Sequence, residues 1–193
     1  WNGSSAGHLR IYENVGGSWY QIGQDIDGET ASAGSGRAVS ISGDGNVVAV
    51  GSPYSNVNGS TSGQIRIYEW NGTNWIQLGS NIFGSYGQQF GWSVDLNYDG
   101  SFIVVGAIGW NTSSGFAEVY HYDGTTWINT GYTGTGSQQH DHYGYSVSIN
   151  NSGDMVAVGA PNGNYVRVYN YNSFSWNQIG NDINGTGESG HSV

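Results

Sequence analysis

The chain has no cysteine, no lysine and two prolines, and its four arginines face fourteen acids, giving a formal net charge of −10 over 193 residues. Each shortage excludes something. Without cysteine there is no disulfide framework. Four scattered arginines cannot form the basic patch that releases phosphate counterions, so nucleic acid is excluded as a partner. No apolar run approaches ~18 residues, which excludes membrane insertion by a helix. Two prolines are too few for a collagen-like chain. What is abundant is glycine, with 34 residues, and aromatic side chains, at 14%. That much burial-prone surface does not suit a solvated coil. A turn-rich, aromatic-rich and weakly charged chain reads as all-β, with the size of one domain or part of a larger one. It opens on Trp1 with no basic-then-apolar leader, so a processed form or a fragment is expected.

An internal repeat is the main signal. The Tyr of an (Ile/Val)-Tyr pair falls at Tyr12, Tyr68, Tyr120 and Tyr169, and a Trp follows seven residues later at Trp19, Trp75, Trp127 and Trp176. A Gly opens a Gly-x-(Ser/Ala)-Val unit at Gly36, Gly91, Gly144 and Gly190, and a second Gly follows fifteen residues later at Gly51, Gly106 and Gly159. The Tyr period is 49–56 residues. Each unit holds four short runs of strand character. In the second unit these are 38–42, 47–51, 64–69 and 75–78. The first, third and fourth alternate apolar and polar residues, as half-buried strands do, and the valine-rich second suits a strand covered on both faces. Four strands in roughly 50 residues is the size of a propeller blade.

The connections divide into two kinds. Runs one and two, and runs three and four, are joined at fixed distance through Gly, Asn-Gly and Asp-Gly turns that supply the positive φ of tight hairpins. The other two connections vary in length. One face therefore carries tight hairpins, and the opposite loop face carries the variable segments 28–36, 52–63, 84–90, 108–115, 131–143, 160–164 and 184–190, with 1–7 beside them. Function on a repeat scaffold usually sits among variable loops. The expected architecture is an antiparallel β-propeller with about 3.5–4 blades in this chain. A partial blade spans 1–27, blades span about 28–83, 84–131 and 132–183, and a further blade starts at 184–193. A fragment of a larger ring is favoured over a four-bladed closed ring or a polymerising open array.

Phe90-Gly91 followed by Gly106-Ala107-Ile108, and Gly144 followed by Gly159-Ala160-Pro161, resemble the FG-GAP repeat of integrin α-type propellers. The Trp-x-Gln-x-Gly-x-Asp-Ile element at 19–26 and 176–183 is similar to FG-GAP-like repeats of large secreted proteins. The resemblance implies a seven-bladed ring, an extracellular or cell-surface location, and recognition or adhesion in place of catalysis. The family's calcium hairpin is matched only in part. Asp95, Asn97 and Asp99 fill its first three ligand positions in the third unit, but Ile103 replaces the last, and the other two units have fewer carboxylates. Calcium wants six to eight oxygens. These segments therefore read as plain hairpins, and no cofactor is expected.

Other chemistry is sparse. His140-Asp141-His142 offers two imidazoles on one loop without an evident third ligand. No nucleophile–base set is visible. Asp25, Asp27 and Glu29 come nearest to the paired carboxylates of a glycosidase and read as solvated turn acids. Arg10, Arg66 and Arg167 each precede the recurring Tyr by two residues, which suggests ion pairs with acids of neighbouring blades. The ligand-binding candidates are Tyr54, Tyr86, Trp110, Tyr132, His140, His142 and Tyr143, a loop-face set of rings suited to sugars or flat protein contacts. Six sequons, at Asn2, Asn58, Asn71, Asn111, Asn150 and Asn184, mark glycosylation candidates for a secreted glycoprotein. The sequence thus supports a non-catalytic extracellular adhesion or structural module that pairs with itself or other surface proteins, including as a filament. A carbohydrate-binding lectin is the alternative, and a glycan-active enzyme the second alternative.

Overall fold

The structure, a computed structural model, describes residues 4–193, apart from the side chains of Trp110, Asn111 and Thr133. The described residues form antiparallel sheets with a single short helix, α1 (Trp110–Ser113), and the fold is an all-β propeller. Blade I is partial. Its third strand is β1 (His8–Leu9) with β2 (Tyr12–Val15), paired to a fourth strand made of β3 (Ser18–Gln21) and β4 (Ile26–Asp27). Blade II runs β5 (Ala38–Ile41), β6 (Val47–Ser52), β7 (Gln64–Trp70), β8 (Trp75–Gln77) and β9 (Ile82–Phe83). Blade III is β10 (Phe90–Leu96), β11 (Phe102–Ala107), β12 (Phe116–Tyr122) and β13 (Trp127–Thr135). Blade IV is β14 (Ser146–Ile149), β15 (Met155–Ala160), β16 (Tyr165–Tyr171), β17 (Trp176–Gln178) and β18 (Ile183–Asn184).

Each blade is a meander, and its fourth strand departs from the expected single run. In blades II and IV both β8 and β9, and both β17 and β18, pair with the same third strand across a bulge. Blade III keeps β13 continuous but shifts register opposite Glu118 to Tyr120. The bulge re-aims the segment after each Trp. In blade II, Gln77 Nε2 donates to Asn81 Oδ1 at 2.7 Å across it. Gln21 and Gln178 reach Asp25 and Asp182 in the same way, at 2.6 and 2.8 Å. Residues 185–193 form no strand.

The tight hairpins meet at one end. Trp70, Tyr122 and Tyr171 each donate their backbone N–H to the first hairpin of their own blade, at Asn46, Ser101 and Asp154. The long connections lie together at the other end, where Gly28, Gly84, Gly136 and Gly185 donate to Gly7, Gly63, Gly115 and Asn164. The valine strand β6 is buried throughout, as its composition implies.

Blades are tied to one another by recurring contacts. Trp75 Nε1 donates to Ile22 O at 3.1 Å, Trp127 Nε1 to Leu78 O at 2.9 Å, and Trp176 Nε1 to Thr130 Oγ1 at 3.0 Å. Each Trp thus anchors its blade to the fourth strand of the one before. Nearer the hairpin end, Asp95 Oδ1 accepts from Ser40 Oγ of blade II at 3.1 Å, while its Oδ2 accepts from Ser148 Oγ and Ile149 N of blade IV at 3.2 and 2.9 Å. Backbone closeness completes the packing. A Cβ on Gly106 would lie 2.0 Å from Gly144 O, so β11 admits only glycine where the next blade begins.

Candidate functional site

The loop end of blade IV carries a polar cleft of about 320 Å³. Three segments build it. The connection into blade IV supplies Ser137, Gln138 and Asp141, the 160–164 loop supplies Asn162 and Gly163, and β16, β18 and the bulge between β17 and β18 supply Tyr165, Asn184 and Asp182. The approach is close because Gly163 has no side chain: a Cβ there would lie 2.5 Å from the Tyr165 ring and 3.0 Å from Asp141 Cγ.

Asp141 is held inward by the turn around it. His140 and His142 on either side adopt left-handed φ of 66° and 54°. Asp141 is 6% exposed. Its Oδ2 accepts from Gln138 N at 2.9 Å and from the Tyr165 hydroxyl at 3.0 Å. Both contacts fall on one oxygen, which leaves Oδ1 for whatever occupies the cleft. The Tyr165 hydroxyl in turn accepts from Ser137 N at 3.1 Å, and burial raises its pKa.

Arg167, two residues along β16, closes the back of the cleft. Its guanidinium lies 4.5 Å from the Tyr165 ring centre and donates to Thr135 O at 3.1 Å, to Ser137 Oγ and to Asp182. Asp182 also accepts from Gln178, and these bonds, that from Arg167 foremost, hold its carboxyl below the usual carboxylate range. The Arg167 charge is thereby neutralised inside the protein, and Asp141 remains as the buried carboxylate without an arginine of its own. Asn162 Nδ2 lies 3.2 Å from His142 Nδ1 at the rim, and burial, with His140 adding to it, lowers the His142 pKa.

The loop-face candidates from the sequence separate by what surrounds them. Tyr132 and Tyr143 are not surface rings: they are 3% and 0% exposed and their hydroxyls meet at 2.8 Å inside the core between blades III and IV. Tyr143 occupies the place Phe90 has one blade earlier, a buried plug before the opening glycine. Tyr54 sits edge-on to Trp92 at 6.4 Å, and Tyr86 stands 78% exposed. The Trp110 side chain lies outside the described residues. His140 and His142 gain no third ligand, and no three His, Asp or Glu among the described residues come together as a metal group. Asp95, Asn97 and Asp99 do not converge either. Asp95 is spent on the neighbouring blades, and Asp99 Oδ1 accepts from Asn97 and Ser101 of its own hairpin.

The expected ion pairs between blades are also corrected. Arg10 pairs with Asp25 and Arg167 with Asp182, each within its own blade and fifteen residues on. Asp25 is thus spent on Arg10, while Glu29 accepts from Gln64 and Asn81, so they do not form a glycosidase pair. Of the sequons, Asn58, Asn150 and Asn184 donate their Nδ2 within the fold, whereas Asn71 uses only its Oδ1, toward Thr73 and Asn74. Asn2 and the Asn111 side chain lie outside the described residues. Tyr165, Arg167 and Asp182 do not stand out as site residues in the sequence alone. The signal for two of them was present in the fifteen-residue Arg-to-Asp spacing of the first and last blades.

No protein-family model matches the sequence, and no curated protein is similar to it. Solved structures do share the fold. A candidate 6-phosphogluconolactonase from Bacteroides uniformis is 14% identical with a TM-score of 0.63, covering 93% of this chain and 49% of its own. One from Bacteroides fragilis is 12% identical with a TM-score of 0.60, over 83% and 41%. A protein of unknown function from Desulfotomaculum acetoxidans is 11% identical with a TM-score of 0.65, over 96% and 52%. The chain spans about half the length of the solved structures it matches. At this identity the likeness is one of fold. It nevertheless corrects the expectation of a non-catalytic adhesion, filament or structural module. Two of the solved structures that share this fold are described as candidate 6-phosphogluconolactonases, and the loop face here holds a polar cleft around a buried carboxylate.

Proposed function

We propose that the chain contributes the active cleft of a propeller enzyme that opens sugar lactones. The observation that carries this reading is Asp141, a buried carboxylate whose hydrogen bonds from the described residues fall on Oδ2, so that Oδ1 is left to a polar cleft. The lactonase descriptions of the similar folds support it. In this scheme Asp141 Oδ1 takes a proton from a water whose oxygen bonds to the lactone carbonyl carbon. The ring C–O bond then breaks, and the ring oxygen takes up the proton, so that lactone and water give one hydroxy acid. The Asn162 and Gln138 amides beside the cleft suit the hydroxyls of such a substrate.

The charge balance favours an unphosphorylated sugar. The cleft is lined by Asp141 and Asp182, the neighbouring Arg167 is tied to Asp182, and the chain has no lysine. A phosphate would meet a net negative surface. The test is ring opening, followed by base uptake at constant pH, for neutral aldonolactones and their 6-phosphate esters. Turnover of the neutral lactones at the higher kcat/KM supports the proposal; turnover of the phosphate esters alone, or of neither, overturns it. The FG-GAP-like recurrence supports an extracellular setting for this activity.

A further inference from the structure

The residue after each opening glycine lies at the loop end of a first strand, and these residues stack on one another. They are Arg37, Trp92, Tyr145 and His191. The first strands β5, β10 and β14 form one edge of their sheets and pack against each other from blade to blade. The Arg37 guanidinium lies 4.2 Å from the Trp92 ring centre, Trp92 lies 5.7 Å from Tyr145, and Tyr145 lies 4.7 Å from His191. A ladder of one cation and three rings thus crosses blades II to IV. Tyr54 adds an edge-on ring 6.4 Å from Trp92. The ladder is open to solvent: Arg37 and His191 are exposed, and Trp92 and Tyr145 are half-buried.

Elsewhere in the fold the same residue types are spent on the protein itself. Arg10, Arg66 and Arg167 donate to Asp25, to Asp27 O and to Asp182. Trp75, Trp127 and Trp176 each spend Nε1 on the preceding blade, and the hydroxyls of Tyr132, Tyr143 and Tyr165 are bonded. In the ladder, no hydrogen bond or ion pair among the described residues uses the Arg37 guanidinium, Trp92 Nε1 or the hydroxyls of Tyr54 and Tyr145. These groups are held by stacking, which leaves their polar atoms to solvent or a ligand. The set is rich in donors and holds no carboxylate. Asp25 and Asp182 are bound to arginines of their own blades, and Asp44, Asp99 and Asp154 lie in the tight hairpins at the opposite end. Glu188 sits in the turn before His191, so Arg37 is the positive end of the ladder.

We propose that this ladder is a binding site for an acidic oligosaccharide, with a uronate carboxylate on Arg37 and sugar rings against Trp92 and Tyr145. The guanidinium fork matches a planar carboxylate through two parallel hydrogen bonds. The ring faces take the C–H faces of pyranoses, while the indole N–H and the two tyrosine hydroxyls bond the sugar hydroxyls. A neutral sugar would leave the guanidinium without its acceptor, and a linear acidic peptide would leave the ring faces without flat partners. None of the four ladder residues lines the blade IV cleft, so the inference stands apart from the lactone reading.

The test is titration calorimetry with trigalacturonate and with its methyl ester, which keeps the rings and loses the charge. The wild-type chain is expected to bind the acid at least about tenfold more tightly than the ester. Arg37→Gln changes an exposed side chain, so the fold is kept, and the variant should bind acid and ester alike. Arg37→Lys should recover part of the preference, since it restores the charge without the fork. Trp92→Phe should weaken acid and ester together, by about threefold, through loss of the indole donor. Equal binding of acid and ester by the wild type, or no binding of either, would overturn the proposal, as would a preference that Arg37→Gln leaves intact. Binding of a tetraglutamate peptide or of inorganic phosphate as tight as that of trigalacturonate would also overturn it, by making the ladder a general anion site.

Discussion

Arg167 and Asp182 meet as a two-point ion pair, with Nε to Oδ1 at 2.8 Å and NH2 to Oδ2 at 3.0 Å. The pair fixes the bulged fourth strand against the third and leaves Asp141 as the unpaired carboxylate of the cleft. Its side chains keep only 14% and 29% of their surface exposed, which places it between a surface pair and a buried one.

Acid should unfold the protein partly through this pair. Asp182 has its pKa lowered by Arg167 and then Gln178, and Asp25 is lowered to about 2 by Arg10 and then Gln21. A carboxyl whose folded pKa is depressed contributes stability above its unfolded pKa of about 3.9, and loses it as pH falls through the folded value. The urea midpoint should be flat from about pH 7 to 5 and fall between about pH 4 and 2. Asp182→Asn should lower stability by about 1–2 kcal/mol at pH 7 and flatten part of the acid fall. An unaltered acid profile would contradict the role given to the pair.

The tryptophan ties make a second prediction. Trp127→Phe keeps a large ring but removes the donor to Leu78 O, which lies 2.9 Å away. The expected loss is about 1–2 kcal/mol, for one hydrogen bond and a small cavity. Trp19→Phe should change urea stability little, because Trp19 is 69% exposed.

Asp95 makes a third. Asp95→Ala strips acceptors from Ser40, Ser148 and Ile149, and should cost about 2–4 kcal/mol, with the loss read by denaturant unfolding. Calcium should not raise the stability of the wild-type protein, since the Asp95 carboxylate bonds protein donors. A calcium-dependent rise in the wild type that Asp95→Ala abolishes would return the hairpin to the metal-binding reading.

The parts of the fold that follow local rules were legible in the sequence. Val47 to Gly51 reads as a strand covered on both faces, and it is buried from Val47 to Ser52. The Asp-Gly and Asn-Gly hairpins and the split into a tight face and a loop face also followed from spacing. The fourth strand read as one run because Trp75 to Leu78 alternates, but the return of Ile82–Phe83 to the same partner depends on pairing with β7. Tyr132 and Tyr143 misled for a similar reason. A ring beside a loop is a surface contact or a plug according to what packs over it, and here the two hydroxyls close on each other. The cleft was hidden because Asp141, Tyr165 and Asp182 come from separate segments that only the blade-to-blade packing brings together.

The central claim is that Asp141 activates water in the blade IV cleft. Its direct test is the ring-opening rate of a neutral aldonolactone with wild-type chain and with Asp141→Asn, which keeps the side-chain shape and an acceptor for Tyr165. The account predicts turnover by the wild type and a kcat lower by about 10²–10⁴-fold in the variant, with KM little changed, as for loss of a general base. Equal rates in the two proteins, or no turnover in either, would contradict it.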